Sequence, residues 1–144
     1  METDERNKVM EETWKEKRGL HFWCEAEPVS KQCKNKRRLE ASKKVMQERV
    51  NKLKPFKNDL TVYYPQGDLE LELVFGIKKK RYIHRRNDTD NLVKHAVDCL
   101  KGVLFKDDSQ LKRVIGTKYL LNNNVQECTG IIISKFKKED VQNA

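Results

Sequence analysis

The sequence has few apolar residues, few glycines and few prolines. It contains no run of about 18 apolar residues, so neither a membrane-spanning helix nor a membrane partner is predicted. The polar, acidic start, Met-Glu-Thr-Asp-Glu-Arg, lacks the basic and apolar parts of a secretory signal. With 6 Gly and 3 Pro in 144 residues, the composition is neither that of a flexible linker nor that of collagen.

The four cysteines are scattered, and their spacing argues against a metal or disulfide framework. They form no C-x-x-C pair, and no histidine stands at zinc-finger spacing from them. Cys99 falls within a helical pattern and Cys128 within a strand pattern, where a small apolar side chain would fit. We therefore expect reduced thiols in a cytoplasm.

Positive charge is the feature that the chain has in excess. Its 31 Lys+Arg against 22 Asp+Glu give a formal net charge of +9. Residues 31–54 carry 10 basic and 2 acidic side chains, and residues 78–86 carry 6 basic side chains and no acidic one. The total charge fits a soluble protein as well as a polyanion-binding one, but two separate basic blocks favour polyanion binding.

Hydrophobic periodicity predicts one small α+β domain of order β-α-β-α-β-β. The predicted strands are 20–26, 69–77, 111–121 and 125–136, and the predicted helices are 37–53 and 89–102. The predicted organisation is a polar helical extension at 1–19, a domain at 20–136 and a frayed tail at 137–144.

The most informative stretch, Asn87-Asp88-Thr89-Asp90-Asn91-Leu92-Val93-Lys94, follows the second basic block. Asp88 or Thr89 can cap the coming helix, and Asp90 lies in its first turn, where the helix dipole favours an anion. Both acids thus have an ordinary structural explanation. The sequence also allows a second one, because another acidic pair, Asp107-Asp108, follows the same helix.

The chain is long enough to bring Asp108 back to Asp88 and Asp90. The helix rises about 16 Å from Asp90 to its end. The six residues after Gly102 span up to about 20 Å when extended. During such a return, Leu104 and Phe105 would pack on the helix.

Three carboxylates gathered in this way would repel one another unless a cation lay between them. Oxygen ligands with open positions suit Mg²⁺ or Mn²⁺. Such a metal activates a bound water and neutralises charge on a scissile phosphate, and Lys94 would add a fixed positive charge. The residues alone leave two interpretations open, a metal-dependent nuclease site or a set of helix caps and turns.

The spacing of these residues resembles the RusA-type Holliday junction resolvases. The shared pattern is Asp88-x-Asp90-Asn91-x-x-Lys94, then Asp98-x-Leu100, Gly102 and Asp107-Asp108-x-Gln110. A looser similarity begins at 27–32, and the resemblance covers 20–136 in all. The chain departs from the pattern at Asn87, where some members have an arginine, and in a shorter spacer before Asp107.

This resemblance implies a mixed sheet with helices packed on it, in a homodimer that makes paired, symmetric nicks in four-way DNA junctions with Mg²⁺ or Mn²⁺. It also implies that Asp88, Asp90 and Asp108 hold the metal, that Lys94 is catalytic, and that Asp107 and Asn91 lie beside the metal. Family members are often encoded by phages or prophages, which implies a bacterial cytoplasm.

The basic blocks supply the side chains predicted to bind DNA phosphates. They are Lys34, Lys36, Arg37, Arg38, Lys78, Lys79, Lys80, Arg81, Arg85 and Arg86. Two other functions also fit the sequence. One is a nuclease of the same fold that prefers flaps or other branched DNA, and the other is a non-catalytic DNA-binding module.

Overall fold

The predicted order of strands and helices is confirmed in the computed structural model, which describes residues 20–53, 67–82 and 87–137. The strands are β1 (Leu20–Cys24), β2 (Leu69–Lys78), β3 (Leu111–Leu121) and β4 (Cys128–Lys135). The helices are α1 (Lys36–Leu53), the short α2 (Lys79–Tyr82) and α3 (Thr89–Leu100), and a 3₁₀ turn covers Asp108–Gln110. The predicted extension at 1–19 lies outside the described residues, as does all but the first residue of the predicted tail.

The four strands form one mixed sheet in the order β1-β4-β2-β3. β4 is antiparallel to both β1 and β2, whereas β3 is parallel to β2. Parallel neighbours need a crossover connection, because the chain must return to the end at which the first strand began. Here α3 makes most of that return, so its two ends lie at opposite ends of the sheet.

Alternate side chains of β2 point to opposite faces of the sheet, and they show which face carries the core. Leu71, Leu73, Phe75 and Ile77 are fully buried in the same cluster as the apolar side chains of α1 and α3. Glu70 lies on the other face and pairs with Arg113 of β3, with 3.3 Å between Glu70 Oε1 and Arg113 Nε. β2 is the strand between β4 and β3, and its side chains are buried on both faces.

The connection after α3 is anchored in the same core. Gly102 takes a φ of +87°, a conformation that favours glycine, and its N–H donates to the Phe105 carbonyl at 2.7 Å. Leu104 and Phe105 are fully buried. The segment from Lys101 to Phe105 is therefore held against the end of α3.

All four cysteines carry free thiols. Burial raises the pKa of Cys24 to about 11 and that of Cys99 to about 12, so both are protonated at neutral pH and pack as small apolar side chains. Among the described helices, none is long and apolar enough to cross a membrane.

A Gly116→Ala substitution should loosen α3 from β3. A Cβ at position 116 would lie 2.6 Å from Val93 Cγ2 and 2.7 Å from Thr89 Cγ2, and both are stiff, β-branched side chains on α3. We expect a loss of about 1–3 kcal/mol in the free energy of unfolding, measured by urea denaturation. Thr117→Ala, at the exposed neighbouring position, is the control, and equal stability of the two variants would contradict this packing.

Candidate active site

Asp88 and Asp90 stand together at the N-terminal end of α3. Asp88 is the N-cap, and its Oδ1 accepts a hydrogen bond from the Asn91 N–H at 3.2 Å. Asp90 lies in the first turn, with its side chain 76% exposed. The predicted capping role of Asp88 is confirmed, and its second carboxylate oxygen can still accept another partner.

Lys94 lies one turn further along α3, on the side that carries Asp90. Its Nζ is 3.1 Å from Asp90 Oδ2, and more than half of each side chain is exposed. Exposed pairs of this kind contribute little to stability, so either partner can exchange the other for a ligand. Asn91 is buried beside them, and its carbonyl accepts a hydrogen bond from the Lys31 N–H at 3.1 Å.

Asp107 and Asp108 lie at the other end of α3. Asp107 Oδ1 is 3.4 Å from Lys101 Nζ, and Asp107 Oδ2 accepts a hydrogen bond from Ser109 Oγ at 2.7 Å. The Ser109 hydroxyl, the Asp108 side chain and Lys101 together lower the pKa of Asp107 to about 2. The Gln110 amide completes the anchorage by donating to the Gly67 carbonyl, next to the start of β2.

The three predicted metal ligands are therefore not gathered within one protomer. Lys101 is eleven positions after Asp90, a helical rise of about 16 Å, and Asp107 is tied to Lys101. Among the described residues, no three acidic, histidine or cysteine side chains are close enough to hold a metal. The donors are chemically suited to Mg²⁺, but one copy of the chain does not bring Asp108 to Asp88 and Asp90.

A basic pocket of about 320 Å³ adjoins the N-terminal end of α3. Its lining includes Asn87, the residue before Asp88, and side chains from the loop before α1, from α1 itself and from α2. The basic residues that line it are Lys34, Arg38, Lys80 and Arg81. The structure thus places four of the predicted DNA-binding residues around one pocket that Asn87, the residue before Asp88, also lines.

The other predicted DNA-binding residues do not line this pocket or lie outside the described residues. Lys36 and Arg37 are exposed in the first turn of α1, and Lys79 is exposed on α2. Lys78 ends β2, and its backbone N–H donates to Glu127 Oε2 at 2.8 Å. Arg85 and Arg86 belong to the part of the chain that the structure does not describe.

Two carboxylates that sequence reasoning missed hold the arginines of the pocket wall. Arg81 donates to Glu127 and to the Pro28 carbonyl, and its Nη1 is 3.3 Å from Glu27 Oε1. Arg38 also pairs with Glu27, through Nε at 3.0 Å and through Nη2. Glu27 and Glu127 are distant in sequence from Arg81, so no local pattern could have paired them.

The basic pocket therefore contains two kinds of positive charge. Arg38 and Arg81 are neutralised by carboxylates and fix the loop, α1 and α2 against one another. Lys34 and Lys80 are exposed and make no ion pair within the described residues. A phosphate entering the pocket would meet these two lysines with their charges unneutralised.

Comparison with known proteins finds a similarity that covers the residues described above. A family model described as Endodeoxyribonuclease RusA matches residues 8–133, which include the acidic residues and both basic blocks. No curated protein matches the chain.

Arg81→Ala should destabilise the protein, whereas Lys80→Ala should not. The Arg81 side chain is 19% exposed and that of its partner Glu127 is 9% exposed, so removing the arginine leaves a largely buried carboxylate without an opposite charge. We expect a loss of about 2–4 kcal/mol in the free energy of unfolding for Arg81→Ala. For Lys80→Ala we expect a change within about 0.5 kcal/mol. Chemical denaturation measures both, and an unchanged Arg81→Ala would show that the ion pairs do not support the pocket.

Proposed function

The chain belongs to the RusA endodeoxyribonuclease family, and on that basis we propose that it resolves Holliday junctions by paired, symmetric nicks in a divalent-metal-dependent reaction. Membership makes the protein an endodeoxyribonuclease, a hydrolase acting on DNA, of a family that implies junction resolution. The symmetric nicking, the Mg²⁺ dependence and the residue roles given below are our proposals.

The observation that carries this proposal is the basic pocket lined by Asn87, the residue before Asp88. Lys34 and Lys80 line the pocket, and Asn87 links it to Asp88. A DNA phosphate held by these lysines would place the neighbouring phosphodiester beside the carboxylates at the start of α3. The N-terminal end of α3 favours the same anion through its dipole.

The carboxylates at this end suit the metal that the family implies. RusA nucleases are generally divalent-metal dependent. Asp88 and Asp90 offer exposed, hard oxygen donors of the kind that Mg²⁺ or Mn²⁺ prefers, and we assign Asp108 as the third. When bound, such a metal would supply a water of lowered pKa and neutralise charge on the phosphate.

Lys94 supports the reaction through its fixed position. Its ammonium lies against Asp90, so it would stand beside a phosphate that the acidic pair engages. There it would stabilise the negative charge that develops on the phosphate oxygens as the bond to the leaving group breaks. Asn91 and Asp107 would help to position the neighbouring carboxylates of Asp88 and Asp108.

A homodimer would match the symmetry of the proposed substrate. A two-fold dimer presents two identical sites in opposed orientations, which is what paired nicks in a four-way junction require. The cellular setting that we propose is the cytoplasm of a bacterium, with the gene carried by the host or by a phage.

Replacing Asp90 should abolish nicking, whereas the same change at Asp98 should not. Even the hydrogen-bond partners of metal ligands commonly contribute 10–100-fold to activity, so Asp90→Asn should lower the nicking rate by at least about 100-fold. Asp98→Asn is the matched control, because Asp98 lies on the same helix but pairs with Lys31 at 2.5 Å. The assay follows cleavage of a labelled synthetic four-way junction with Mg²⁺.

Parallel assays with branched flaps and with linear duplex identify the preferred substrate. Faster cleavage of flaps than of junctions would contradict junction resolution but retain the nuclease. DNA binding without cleavage of any substrate, or equal rates for wild type and Asp90→Asn, would contradict the assigned site.

Removal of the two pocket lysines should reduce the salt dependence of DNA binding. Each lost phosphate contact lowers the slope of log affinity against log salt by about 0.9, so Lys34→Ala with Lys80→Ala should lower it by about 2. Lys44→Ala with Lys52→Ala, exposed on α1, removes the same charge away from the pocket. Fluorescence anisotropy with a junction at several salt concentrations measures both slopes, and equal losses would mean that the pocket does not contact phosphate.

A further inference from the structure

The basic pocket is larger than one phosphate requires. Its volume of about 320 Å³ lies at the lower end of the range for pockets that bind small organic molecules, about 300–1,000 Å³. A phosphate group is much smaller than the molecules that such pockets hold. A DNA phosphate bound by Lys34 and Lys80 would therefore leave most of the pocket free for another part of the same nucleotide.

The two arginines of the pocket wall are better suited to a base than to a phosphate. Carboxylates already neutralise Arg38 and Arg81 and hold both guanidinium groups in place. An incoming anion therefore gains little from either of them. A guanidinium plane also stacks on flat aromatic rings, and proteins use it in this way to bind unstacked bases.

Two uncharged polar side chains of the wall can bind the edge of a base. Asn87 and Ser30 line the pocket and are 8% and 2% exposed. The Asn87 side-chain amide donates to the Arg81 carbonyl at 3.1 Å. Ser30 Oγ accepts a hydrogen bond from the Gln32 N–H at 3.1 Å. Within the described residues, the Asn87 side-chain oxygen accepts no hydrogen bond and the Ser30 hydroxyl donates none, so an acceptor and a donor remain for a ligand.

Arg81 holds these two groups in one frame. Its backbone carbonyl accepts the hydrogen bond from Asn87, and its side chain donates to the Pro28 carbonyl, two residues before Ser30. Val29, between Pro28 and Ser30, is 2% exposed and adds an apolar side chain to the wall. The groups that would contact a base are therefore held in place before it binds, which lowers the entropy cost of binding.

We propose that this pocket binds one unpaired nucleotide of the DNA, base and phosphate together. The inference rests on the proposed function, because the nucleotide belongs to the DNA that the enzyme would cut. Lys34 and Lys80 bind the phosphate, and the base lies against the two neutralised arginines. The edge of the base forms hydrogen bonds with Ser30 and Asn87.

A pocket of this kind favours branched DNA over a continuous duplex. A base must leave the stack to enter it, and this costs free energy when the base is paired. The cost is least for a base that is already unpaired, as at a branch point. Continuous duplex would therefore contact the basic surface without filling the pocket.

Duplexes with one bulged nucleotide test the pocket independently of cleavage. Fluorescence anisotropy in EDTA compares a bulged nucleotide with a bulged abasic sugar in the same duplex, and all four bases are tried. For the best of them, we expect the wild-type protein to bind the nucleotide about 10-fold more tightly than the abasic bulge, because stacking needs the base. Equal affinities for every base and the abasic bulge would overturn the proposal.

Substitutions separate the base contacts from the phosphate contacts. Asn87→Ala should lower the preference for the base at least about threefold, the contribution of one hydrogen bond. Ser30→Ala repeats the test on the other side of the pocket and covers a folding defect in Asn87→Ala. Lys34→Ala with Lys80→Ala is the matched control, which should weaken binding of both bulges equally. A full preference in both Asn87→Ala and Ser30→Ala would contradict the assigned contacts.

Alkylation of Cys33 locates the bound base in the wild-type protein. Cys33 lines the pocket and is half-buried, whereas Cys24, Cys99 and Cys128 are 3%, 1% and 0% exposed. Iodoacetamide should therefore modify Cys33 first, and mass spectrometry of its peptide measures the extent. The bulged nucleotide should protect Cys33 and the abasic bulge should not. Equal modification with both DNAs would place the base outside the pocket and overturn the proposal.

Cleavage of a synthetic four-way junction separates this inference from the proposed function. Base-dependent binding and Cys33 protection, without cleavage of any DNA, would retain the nucleotide pocket and contradict the nuclease assignment. Junction cleavage by a protein that does not distinguish the bulged nucleotide from the abasic bulge would do the reverse.

Discussion

The parallel pairing of β2 with β3 is the constraint on which the rest of the structure depends. It obliges the chain to return from one end of the sheet to the other, and α3 makes that return across the core face. Gly116 of β3 permits the close approach, because Thr89 and Val93 occupy the space where a Cβ would lie. The two ends of α3 thereby become two different chemical surfaces, one with Asp88, Asp90 and the basic pocket, the other with Asp107 and Asp108.

Charge is used in two ways at the first of these surfaces. Glu27 and Glu127 neutralise Arg38 and Arg81, so those arginines join the loop before α1 to α2 and to the turn before β4. The exposed Lys34 and Lys80 are not neutralised in this way, so their charges remain available to a ligand. The net charge of +9 therefore overstates the charge available to DNA at this pocket, because part of it holds the protein together.

Sequence patterns predict the parts of this protein that depend on neighbours along the chain. The alternation of Leu and Glu in β2 and the apolar stripe of α3 identify their elements, and Asp88 is recognisable as a helix cap. Strand pairing depends on residues that are distant in sequence, and the position of Asp108 depends on strand pairing. From the sequence alone, the segment after α3 could either return along α3 or stay at its C-terminal end. The short helix α2 and the Arg81–Glu127 pair were also missed, since both depend on contacts between distant segments.

A crystal structure of the wild-type protein with Mn²⁺, with the ion located by anomalous scattering, tests the central claim most directly. The account predicts an ion at the N-terminal end of α3, with Asp88 and Asp90 among its ligands. An ion bound away from Asp88 and Asp90, or no bound ion, would contradict it.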